Sequence, residues 1–86
     1  MPEEWEVELH REINDAIYAL PPHIVAAIRR TFLSFREDPF PPHSRWVGGF
    51  TDVYEVQEGL HRIVYQVDKE RKRVRIVRIQ MADQPR

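Results

Sequence analysis

Arginine supplies most of the chemistry this chain can offer. Its guanidinium is a planar fork of N–H donors that matches the oxygens of a phosphate or carboxylate. Arg62 lies in the run Leu60-His61-Arg62-Ile63-Val64-Tyr65-Gln66-Val67-Asp68, and Arg73, Arg75 and Arg78 follow in the next apolar-rich run. On a strand, Arg62 shares a face with Leu60, Val64 and Gln66. It reads either as a phosphate clamp or as a stem covering the edge of the core. Strict alternation puts Arg73 and Arg75 on one face and Arg78 on the other, which fits RNA-binding positions or a solvated strand face. Arg45 beside Trp46 offers a cation and a ring that can stack on a base. The competing reading packs Trp46 under the proline-rich loop.

The other reactive side chains form no constellation. His61 faces the apolar row Ile63, Tyr65 and Val67, which suits a packing residue better than a proton carrier. His10, His23 and His43 fall in separate segments without metal-ligand spacing, and there is no cysteine, so neither a metal nor a cofactor is expected. No glycine-rich phosphate loop and no Ser/His/Asp arrangement is present.

Positioning these arginines requires a sheet. Glu4 to His10 alternates charged and apolar residues, the period-two pattern of a half-buried strand. Ile13, Ala16, Ile17 and Leu20 fall at helical spacing, and Pro21-Pro22 ends that stretch while permitting a new first turn. Ile24, Ala27, Ile28, Thr31, Phe32 and Phe35 form the buried stripe of a second helix. It stops at Asp38-Pro39 because the residue before proline resists helical angles. Residues 39–44 read as a stiff loop. Residues 53–57, 60–68 and 74–81 read as three strands joined by turns at Glu58-Gly59 and at residues 69–72, with 82–86 as a frayed tail. The expected core includes Ile17, Leu20, Ile28, Phe32, Phe35, Tyr54 and Val56. The order is β-α-α-β-β-β: an α+β fold, a mainly antiparallel twisted sheet with a two-helix hairpin on one face.

The chain has 86 residues and reads as one domain, 1–86. At this size stability is marginal, so a homodimer or a partner is expected to contribute. The formal net charge is −1. It conceals 5 Lys/Arg against 11 Asp/Glu in residues 1–59, and 8 against 3 in residues 60–86. The basic third can meet a polyanion, or the two halves can neutralise each other across the fold. No apolar run approaches the roughly 20 residues of a membrane helix, and a cytoplasmic protein is expected.

Three segments in order carry a family resemblance: Leu20-Pro21 with Asp38-Pro39; Val47, Gly49, Asp52 and Tyr54; and Arg62-Ile63-Val64-Tyr65-Gln66-Val67. They resemble the RelE/ParE family of small toxins over nearly the whole chain. The resemblance implies a toxin held by a cognate antitoxin. In RelE-type members it also implies metal-independent cleavage of messenger RNA on the ribosome, with Arg62 as the retained catalytic cation. ParE-type members instead bind DNA gyrase. The chain departs from the nuclease pattern at Glu55 and Gln57, where basic residues are expected, and after Ile79, where Gln80 to Asp83 hold no arginine. A nuclease with a reduced site and a non-enzymatic binding protein therefore both remain open.

Overall fold

The computed structural model describes residues 4–81, so residues 1–3 and the tail expected at 82–86 lie outside the described residues. The described chain runs β1 (Glu6–Leu9), α1 (Arg11–Tyr18), α2 (Pro22–Glu37), β2 (Arg45–Trp46), β3 (Val53–Glu58), β4 (His61–Asp68) and β5 (Arg73–Met81). These strands form one sheet in the order β1-β5-β4-β3-β2. Only β1 against β5 is parallel; the other three pairings are antiparallel. This is the expected α+β architecture with one addition. Arg45 and Trp46, outside every strand expected from sequence, make a two-residue edge strand, Arg45 opposite Glu55 and Trp46 opposite Tyr54. Two residues are too few for periodicity to register.

Helix boundaries follow from proline. Pro22 opens α2, where its missing N–H costs no helical hydrogen bond, and extended Asp38 closes it ahead of Pro39. The two helices cover one face of the sheet. Ile17 of α1 and Ile28, Phe32 and Phe35 of α2 pack on Val56, Ile63, Tyr65, Val67, Val74 and Ile76. Leu20 and Tyr54, expected in the core, border it and stay partly exposed. Tyr65 lies at the centre, fully buried, its ring 4.4 Å from that of Phe35 and 6.1 Å from that of Tyr54. Its hydroxyl donates to the Pro39 carbonyl at 2.8 Å, pinning the proline-rich loop to the sheet. Burial pushes the Tyr65 phenol up to about 12; the Ser44 hydroxyl opposes this rise and the Asp38 charge adds to it.

One irregularity decides how β5 presents its side chains. Along β4 and β5 the register slips between two neighbours: Val64 lies opposite Arg78, and Tyr65 opposite Ile76. Val77 is the extra residue of a β-bulge, which interrupts the alternation and increases local twist. Strict period two puts Arg78 opposite in direction to Arg75. The bulge shifts the phase by one, so Arg78 joins Arg73 and Arg75 on the face away from the helices, and Ile79, which strict alternation would turn outward, packs against the core.

Candidate functional site

The helix-free face of the sheet carries all five arginines singled out from sequence. Cross-strand partners point the same way, so the register places Arg45 beside Glu55, Gln57 beside Arg62, Gln66 beside Arg75 and Val64 beside Arg78. At the β2 end, His43, Arg45, Glu55, Val56, Gln57, Gly59 and Arg62 line a cavity of about 520 Å³. The sharp β3–β4 turn beside it uses Gly59 at φ 60°, a backbone region that side chains with a Cβ disfavour. That turn lets Arg62 follow Gln57 directly across the sheet.

Electrostatically the cavity is dominated by one acid. Glu55 accepts a hydrogen bond from the Arg45 guanidinium at 2.6 Å, and its other oxygen stands 3.7 Å from Arg62 Nε. Both candidate cations therefore share one carboxylate. Farther along the face, Arg73 lies 3.7 Å from both Glu6 and Glu8, and Arg75 lies 3.4 Å from Glu8. Arg73 and Arg75 of the basic C-terminal third are thus neutralised by the acidic first strand, and Arg62 by Glu55 of β3. Among the described residues, no ion pair joins Arg78.

Four of the five arginines are thus paired with acids. Trp46 does not pack beneath the proline-rich loop. It is exposed, and its indole N–H donates to the Phe50 carbonyl at 3.1 Å, closing the Trp46–Phe50 loop on itself. His61 is buried on the core side with Ile63, Tyr65 and Val67, where it does not line the cavity. His43 does line it, a position that spacing alone does not reveal. The matching Glu-x-Glu of β1 and Arg-x-Arg of β5 were visible in the sequence, but pairing them needed the parallel register. Among the described residues, no group of three or more His, Cys, Asp or Glu is placed to hold a metal ion. No described helix is long and apolar enough to cross a membrane.

A sequence model of the ParE toxin of the type II toxin–antitoxin system parDE matches residues 5–85. The chain belongs to the ParE toxin family. As a ParE-family chain it also shares its fold with RelE toxins of known structure. The toxin of the archaeal RelE–RelB complex from Pyrococcus horikoshii superposes with a TM-score of 0.86 at 18% identity, covering 95% of this chain and 99% of its own. A toxin–antitoxin complex from Mycobacterium tuberculosis gives 0.76 at 20% identity, with coverage of 91% and 98%. The intact E. coli RelBE complex gives 0.78 at 17% identity, with 93% and 99%. No curated protein matches the chain.

Proposed function

We propose that this ParE-family chain is a toxin that acts in the cytoplasm by binding a macromolecular target, in the manner of the gyrase-directed members, and does not cleave RNA. The observation that carries this reading is the Glu55 carboxylate set between Arg45 and Arg62. Cleavage by an adjacent ribose hydroxyl builds negative charge on the non-bridging phosphate oxygens, and catalysis requires preorganised cations aimed at them. A carboxylate already neutralising both cations opposes that charge. Gln57, beside Arg62, is neutral and supplies neither charge nor a proton.

The partner is a cognate antitoxin, as the complexes of the RelE-fold toxins suggest. Without it the free chain forms a homodimer or unfolds readily. Induced expression is expected to arrest growth and to be relieved by the antitoxin. Purified protein added to translating ribosomes leaves messenger RNA intact, while supercoiling by DNA gyrase is inhibited. Ribosome-dependent cleavage that disappears in Arg62→Ala overturns this reading in favour of a nuclease with a reduced site.

A further inference from the structure

We infer that Glu55 is a built-in competitor for an oxyanion site made by Arg45 and Arg62, and that this site takes a phosphate group once the carboxylate is neutralised. The inference deepens the preceding reading by naming what the acid displaces. The geometry is that of a clamp closed on its own chain. Two guanidiniums approach the two oxygens of one carboxylate from different strands, Arg45 from β2 and Arg62 from β4, with Glu55 on β3 between them.

The two contacts are unequal. Arg45 makes a short hydrogen bond, but its side chain is 74% exposed, where such a pair is weak and screened. Arg62 is 30% exposed, and its Nε at 3.7 Å is beyond hydrogen-bonding range. The better-buried cation therefore has donors that the carboxylate does not satisfy. The cavity beside it also presents His43 and Gln57, side chains able to donate to oxyanion oxygens.

A phosphate differs from the carboxylate in having more oxygens and up to twice the charge, so it can engage Arg62 and Arg45 together. In the wild type it must also lie within a few ångströms of the Glu55 charge. That repulsion, at a partly solvated site, accounts for about tenfold in affinity. Glutamine has the size and shape of glutamate, so neutralising Glu55 this way removes the repulsion and frees both forks while the largely covered side chain keeps its place on the helix-free face.

The test titrates inorganic phosphate, at low ionic strength, into wild type, Glu55→Gln and Glu55→Gln/Arg62→Ala. Binding is followed by amide chemical shifts of β3 and β4. The expected result is phosphate affinity about tenfold or more above wild type in Glu55→Gln, and loss of that gain in the double variant. Equal affinity in wild type and Glu55→Gln overturns the inference, as does a gain that survives removal of Arg62. Glu55→Thr, neutral and well suited to a strand, is run in parallel. It decides the question by the same criteria if the glutamine variant is poorly folded. Messenger RNA cleavage by the wild type is scored separately. It bears on the proposed function and leaves the phosphate comparison unaffected.

Discussion

Replacing Tyr65 by phenylalanine removes a single oxygen from the centre of the fold and leaves the Pro39 carbonyl without its donor. An unpaired buried acceptor costs about 1–3 kcal/mol, to be seen as a lower urea midpoint at neutral pH. The same hydroxyl sets an alkaline limit on stability. Its proton is held in the folded state up to about 12, against an ordinary value of 10. Below pH 10 both states keep the proton, and the stability is fully present. Between 10 and 12 the unfolded chain releases it while the folded chain cannot. Stability is lost over that window by about 2–3 kcal/mol. Tyr65→Phe should flatten this part of the urea-midpoint profile. A profile unchanged by the substitution rules out Tyr65 as its source. Arg62→Ala, by contrast, removes a partly exposed side chain from a loose ion pair and should change stability by less than about 1 kcal/mol. A far larger drop in the melting temperature means that its stem supports the core.

At the scale of elements, the β5 bulge invites a deletion. Without Val77, Arg78 follows Ile76 directly and alternation is restored. The register then keeps Arg78 opposite Val64 and Ile79 opposite Ile63, as now. The shortened protein should therefore fold, with cross-strand contacts between residues 64 and 78 retained in NMR spectra. Loss of those contacts means that the bulge's added twist is needed to seat the helices. Gly59→Ala should cost about 1–2 kcal/mol, because alanine has to take up a left-handed conformation there; thermal melts measure it.

The helices, their proline boundaries and four of the five described strands were legible because each carries several turns or alternations of pattern. The bulge was not, since one inserted residue leaves Arg-x-Arg-x-x-Arg looking like a strand with arginines on both faces. The two-residue β2 gave no period to read. At the site, the conflict between Glu55 and a phosphate-binding role was visible in the residue types. Its contacts with Arg45 and Arg62 needed the order β4-β3-β2, and the neutralising of Arg73 and Arg75 needed the parallel pairing of strands distant in sequence.

For the whole molecule, the hydrophobic layer between helices and sheet is small, and its largest members share one cluster. Phe35→Ala removes a fully buried ring and should cost about 3–5 kcal/mol, most of the stability of a domain of this size. Expressed alone, the variant should be largely unfolded by circular dichroism. A partner that binds only the folded chain should restore it in proportion to its concentration. A cooperative, near-wild-type melt of the isolated variant contradicts that picture. The sheet order has a further consequence for synthesis. The last described strand, β5, is inserted between β1 and β4, so the first strand has no neighbour until the last has left the ribosome. Glu8 and Arg75, which meet across that seam, are 67 positions apart. Closing such long loops comes late and slowly in folding. A chain released early, anywhere before residue 73, lacks the strand that joins the sheet's two parts and cannot assemble the arginine face. Interrupted translation thus yields fragments without the arginine face, and only a chain extended through β5 can build it.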